Sequence, residues 1–161
     1  MHLRLLQRVV KYGNLFPEIS SLWYLMGKLH GQEEFNMEMK LKVLISDDDK
    51  EFCSRCTSTL RSCGFDTSVA PKDGQLMLEM IREITPDIVL MDVFMPYLDA
   101  IGVINQVREK GLPMPIFMVI STYSNPMLER QLVSSGVAYC FLKPIDPQLV
   151  AQRIFQLTGK N

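Results

Sequence analysis

Three aspartates, a serine and a lysine stand where apolar runs of this chain stop. Asp47 and Asp48 follow "LKVLIS" (41–46), Asp92 ends "DIVLMD" (87–92), Ser121 ends "PIFMVIS" (115–121), and Lys143 comes just after "AYCFL" (138–142). A carboxylate at the end of a buried run is costly unless something neutralises it. Three of them within about 5 Å repel by roughly 3 kcal/mol per pair at an effective dielectric near 20. A divalent cation resolves that conflict, and hard oxygen ligands with room left for water and phosphate oxygens select Mg²⁺. A lysine and a hydroxyl beside such a centre suit the three oxygens of a phosphoryl group, the ammonium neutralising charge and Ser121 donating a hydrogen bond. Asp92 is then a nucleophile able to form an acyl phosphate. Taken singly, each residue has a plainer explanation. Asp48 or Asp49 can cap the helix that follows, and for Asp49 capping is the preferred role. Asp92 and Ser121 can be turn residues, and Lys143 a solvated lysine. Their joint occurrence at four strand ends outweighs those explanations.

The elements that must position these residues alternate from about Leu41 onward. After "LKVLIS" an amphipathic helix runs to about Cys63 and stops at Gly64. "FDTSVA" (65–70) alternates like an edge strand, and Asp73 caps a helix with Leu76, Met77, Met80, Ile81 and Ile84 on one face. Pro86 ends that helix region before the strand 87–92. Further helices are expected over 99–111, over 124–136 with a proline in the first turn, and from Asp146 to about Thr158. Five βα units with nearly continuous apolar central strands imply an α/β fold, a parallel sheet with helices on both faces. Right-handed crossovers leave few topologies, of which a five-stranded doubly wound sheet is the economical one. Its ligand site lies beyond the carboxyl ends of the strands.

Composition narrows the classes. With 161 residues, 47% of them hydrophobic, the chain can bury a real core, and its formal net charge of −1 gives no electrostatic case for nucleic acid or an anionic membrane as an obligatory partner. No apolar run reaches the roughly 18–20 residues of a membrane span, and the start lacks the layout of a signal peptide, so a cytoplasmic protein is expected. Cys53 and Cys56 form a C-x-x-C pair, but Phe52, Cys56, Leu60 and Cys63 recur at helical spacing, which makes the thiols small core residues. A structural zinc would need nearby ligands, and both histidines lie elsewhere, at His2 and His30. Residues 1–36 do not fit the alternation. An amphipathic partner-binding or membrane-surface helix is one reading of them. The preferred one is an overextended start: codons for "QEE" (32–34) can read as a purine-rich ribosome-binding sequence upstream of Met37, where the functional domain, 37–161, is expected to begin.

The segments "VLISDDD", "LMDVFMPYLDA", "VIST" and "FLKPID" resemble the receiver domains of two-component response regulators over about 41–158. Within that family "MPYLDA" and "AYCFLKP" are most similar to receivers of sporulation regulators. The resemblance implies a flavodoxin-like (βα)5 fold with strand order 2-1-3-4-5 and a phosphoryl-accepting switch of a two-component system or phosphorelay. It implies Asp92 as phosphoacceptor, Asp48 as a direct Mg²⁺ ligand, Asp47 acting through water, and the backbone carbonyl of Phe94 as a further ligand. Ser121 becomes the switch hydroxyl and Lys143 the phosphate-binding lysine, followed by a cis bond to Pro144. The implied partners are a histidine kinase or a histidine phosphotransfer protein, since no histidine occurs between Met37 and Asn161. A homodimer through the fourth helix and fifth strand is also implied, whereas no nucleic-acid contact by this domain is. The protein is expected to phosphorylate and dephosphorylate itself rather than act as an enzyme on other substrates. Two positions depart from the family pattern. Ala100 replaces the usual glycine after Asp99, leaving the loop backbone there open, and Cys140 stands where an aromatic normally swings in on activation. The alternatives are a receiver-like interaction module that is not phosphorylated, and a Mg²⁺-dependent aspartyl phosphatase. The latter needs a second aspartate two residues after the nucleophile, a place held here by Phe94.

Overall fold

A computed structural model describes residues 40–159; the expectations for residues 1–36 lie outside them. Its elements run β1 (Lys42–Ser46), α1 (Lys50–Ser62), β2 (Asp66–Val69), α2 (Gly74–Ile84), β3 (Ile88–Asp92), α3 (Ala100–Glu109), β4 (Ile116–Ser121), α4 (Pro126–Ser135), β5 (Val137–Leu142) and α5 (Pro147–Thr158). The five strands form one parallel sheet in the order β2-β1-β3-β4-β5. The reversal of strand order falls between β1 and β3, the place where open α/β sheets build ligand sites. Among the described residues no helix is long and apolar enough to cross a membrane.

Period-two alternation on the strands splits the core into two layers. Leu44, Val89, Met91, Phe117 and Val119 face one side, where Met77, Ile81, Val103, Ile104, Val107 and Leu132 from α2, α3 and α4 cover them. Val43, Ile45, Ile88, Leu90, Met118 and Ile120 face the other, under Cys53, Cys56 and Leu60 of α1 and Val150, Ala151 and Ile154 of α5. The central strand β3 is buried along its whole length, which is why it reads as an unbroken apolar run. Cys53 and Cys56 are therefore core residues, as their helical spacing implies, and burial together with the neighbouring Cys53 pushes the Cys56 thiol up to about 12.

The helix ends obey local chemistry. Asp49, Asp73, Asp99, Asn125 and Asp146 are N-caps, each accepting hydrogen bonds from first-turn amides. Asp49 thus takes the capping role, leaving Asp47 and Asp48 for the rim. Ala100 opens α3 and is fully buried, its amide donating to the Val93 carbonyl at 3.0 Å. The loop after β3 therefore closes on an alanine without a positive φ at that position; the left-handed residue of this loop is Tyr97, at φ 65°.

Candidate functional site

Five parallel strands joined by right-handed crossovers all end on the same edge, so each residue following a strand lands on one rim. There the oxygens of Asp47, Asp48 and Asp92 come within 4.8 Å of one another. Asp47 and Asp92 are buried and Asp48 is exposed. β1 delivers the first pair. Asp47 is held by the Asp49 amide, which donates to its Oδ1 at 2.9 Å, and the Cys53 thiol lies 3.6 Å from its backbone carbonyl. β3 delivers Asp92, whose Oδ1 accepts from the Phe94 amide at 2.9 Å in an Asx-type turn. Its Oδ2 is left to face the other charges.

Lys143 reaches back from the end of β5. Its amide donates to the Ser121 carbonyl at 2.9 Å, extending the β4–β5 ladder, and the bond to Pro144 is cis. The ammonium is 2.7 and 2.9 Å from the two oxygens of Asp47, 3.6 Å from Asp92 Oδ2 and 3.7 Å from Asp48 Oδ1. Partial burial alone would lower its pKa, but hydrogen bonding to Asp47 and the charges of Asp47, Asp92 and Asp48 more than offset this and hold it above the ordinary lysine value. Asp47 Oδ2 is fully buried and makes the ion pair with Lys143 without an aligned hydrogen bond, so its lone pairs are underused.

Lys72, in the loop between β2 and α2, is a member of the site that sequence reasoning leaves out. Its Nζ lies 3.1 Å from Asp92 Oδ2 and 3.2 Å from Asp48 Oδ2. Burial lowers its pKa, while the hydrogen bonds to Asp92 and Asp48 raise it further, and the net position is above the ordinary value. The same hydrogen bond from Lys72 holds the Asp48 carboxyl below the usual carboxylate range. A signal for Lys72 was available. The rule that places residues after β1, β3, β4 and β5 on the rim applies equally to the edge strand β2, and Lys72 follows it by three residues.

Ser121 is buried at the end of β4, where its hydroxyl donates to the Tyr123 carbonyl at 2.7 Å. It also lines an open groove of about 420 Å³ between α4 and β5, together with Leu128, Leu132, Val133, Cys140 and Leu142. Cys140 is exposed in this groove, with partial desolvation of its thiol and the nearby Glu129 charge raising its pKa. The neighbouring Tyr139 is engaged on the opposite side. It packs edge-on to Phe141 at 4.7 Å, lies 4.1 Å under the Arg153 guanidinium, and accepts a hydrogen bond from it at 3.1 Å. Phe94 and Tyr123 stack at 5.8 Å between ring centroids.

Comparison with known proteins bears on this arrangement. The family model for the response regulator receiver domain matches residues 43–155. Among solved structures, the chain is similar to the receiver domain of Francisella response regulator 1452 (26% identity, TM-score 0.67, covering 75% of this chain and 98% of that one). It is also similar to the receiver domain of AraT, a response regulator from Geobacillus stearothermophilus (26%, TM-score 0.65, 76% and 95%). The chemotaxis protein CheY4 of Vibrio cholerae, at 21% identity and TM-score 0.65 over 73% of this chain and 98% of that one, shares the fold.

Proposed function

This chain belongs to the response regulator receiver domain family of two-component systems, and from that premise we propose that Asp92 accepts a phosphoryl group in a Mg²⁺-dependent reaction. The observation that carries the reading is the convergence of Asp47, Asp48 and Asp92 on one rim with Lys143 reaching all three. The donor set fits the metal: three carboxylates, two of them buried, with the buried Asp47 Oδ2 short of hydrogen bonds. Asp48 and Asp92 would hold the ion, with Asp47 acting through water and the Phe94 carbonyl as a further ligand. Bound there, Mg²⁺ supplies charge neutralisation to the transferring phosphoryl oxygens.

The chain's own residues do the rest. A carboxylate oxygen of Asp92 attacks the phosphorus of a phosphohistidine. The P–N bond breaks as the O–P bond forms, and its electron pair leaves with the imidazole. Lys143 stays protonated and balances the added charge. The Ser121 hydroxyl is engaged by the Tyr123 carbonyl, so donating to a phosphoryl oxygen requires it to break that bond. The movement is passed to the segment leading into α4, which walls the groove to β5. The donor is a histidine kinase or a histidine phosphotransfer protein. The protein acts on itself and not on a separate substrate, and a link to sporulation-type regulators rests on "MPYLDA" and "AYCFLKP" alone.

Intact mass measurement tests this. With Mg²⁺ and acetyl phosphate the wild type should gain one phosphoryl group, and Asp92→Asn should gain none. Equal labelling of both would rule out Asp92 as the acceptor, and no labelling of either would return the protein to the interaction-module reading.

A further inference from the structure

Lys72 is held from both sides of its loop. On one side, the Ser46 hydroxyl donates to the Pro71 carbonyl at 2.9 Å, and the Ala70 amide donates to the Ile45 carbonyl at 2.8 Å. On the other, Asp73 caps α2 and the Gly74 amide donates to the Pro96 carbonyl at 3.1 Å. The chain on either side of Lys72 is thus tied both to β1 and to the loop that carries Phe94. Its ammonium bridges Asp48 and Asp92 at 3.2 and 3.1 Å, the two side chains that the preceding reading gives to the metal. Two ammonium groups, on Lys72 and Lys143, here face three carboxylates.

We propose that Lys72 is a built-in counter-cation that holds the metal's place, so that Mg²⁺ binds the unphosphorylated protein only by displacing this ammonium from Asp48 and Asp92. The inference rests on the reading of the rim as a Mg²⁺ site. An ammonium with its donors aimed at both carboxylates cannot keep those contacts once a small divalent ion takes the same oxygens. Displaced but still tethered, it then repels the ion through a partly buried, low-dielectric site. Lys72 therefore weakens the affinity for Mg²⁺. It also keeps the metal-free protein stable by neutralising carboxylates that would otherwise repel. Tighter metal binding and lower metal-free stability on its removal are two faces of one linkage.

The experiment is a calorimetric Mg²⁺ titration of the metal-stripped full chain at constant ionic strength, with Lys72→Met and Lys72→Arg beside wild type. Lys72→Met, which keeps most of the side chain's length and loses its charge, should bind Mg²⁺ about tenfold more tightly, or about 1.4 kcal/mol. Lys72→Arg should stay close to wild type. In thermal melts, Lys72→Met should lie below wild type without metal and show the larger upward shift when Mg²⁺ is added. If wild type binds Mg²⁺ and Lys72→Met binds it equally or more weakly, the displacement account is wrong while the metal site stands. If neither protein binds Mg²⁺, the metal site itself is refuted and this proposal with it.

Discussion

Phe94 and Tyr123 come from different loops, two residues past Asp92 and two past Ser121, yet their rings stack with 25° between planes. An aspartyl phosphate decays when a water reaches the phosphorus in line with the departing carboxylate. Polar side chains at these places can orient such a water, whereas a stacked aromatic pair excludes it. A long-lived phosphoprotein is expected. Phe94→Asn or Phe94→Glu should speed dephosphorylation severalfold or more, followed as loss of labelled phosphate after the donor is removed. Mg²⁺ affinity should barely change, because only the backbone of Phe94 is assigned to the metal. Wild-type decay within seconds, or an unchanged rate in the variants, would rule out shielding. At this scale Asp92 and Lys143 were legible from their strand ends, and Phe94 and Tyr123 as an aromatic pair from their places two residues past Asp92 and Ser121. The stacking of their rings was not, since it joins two loops whose paths depend on the packing of β3 and β4.

At the scale of elements, the loops after β2 and β3 are braced against each other where α2 begins. Gly74 opens that helix, and a Cβ there would overlap the Leu98 carbonyl oxygen and lie 2.6 Å from the Leu98 carbonyl carbon. Backbone cannot yield as a flexible side-chain end can. Gly74→Ala should therefore destabilise by more than about 2 kcal/mol. Gly102 in α3 is the control: its added Cβ would meet the Leu98 Cδ1 atom, which can swing aside. Gly102 lies in the first turn of α3, where a Gly→Ala change gains less than the about 1 kcal/mol of a helix interior, so Gly102→Ala should cost much less than Gly74→Ala. Urea unfolding of both variants decides it, and similar midpoints for the two would contradict the bracing. Asp73 as the cap of α2 could be read from the chain. The need for glycine beside it could not, because the obstacle is a carbonyl 24 residues downstream in the numbering.

At the scale of the whole molecule, the signal must leave the rim. The groove that Ser121 lines includes apolar side chains left in solvent: Val133 of α4 is 70% exposed and Leu142 of β5 is 54% exposed. Phosphorylation should favour a homodimer through this α4–β5 face. Light scattering should then give twice the monomer mass after acetyl phosphate and Mg²⁺ treatment, and Val133→Arg should keep labelling at Asp92 while losing the dimer. A phosphorylated protein that stays monomeric at high concentration would remove this face from the dimer account.

The order of elements, the two-layer core and the set Asp47, Asp48, Asp92, Ser121 and Lys143 were determined by the sequence alone. Period-two and helical spacing assign faces locally, and parallel strands with right-handed crossovers must all end on one edge. The folded chain alone decided how those groups pair: Lys143 on Asp47 across 96 positions, and Lys72 between Asp48 and Asp92. Those choices depend on loop paths and on distances of a few ångströms. No local periodicity encodes them, because an ion pair between distant residues depends on where packing puts its two ends.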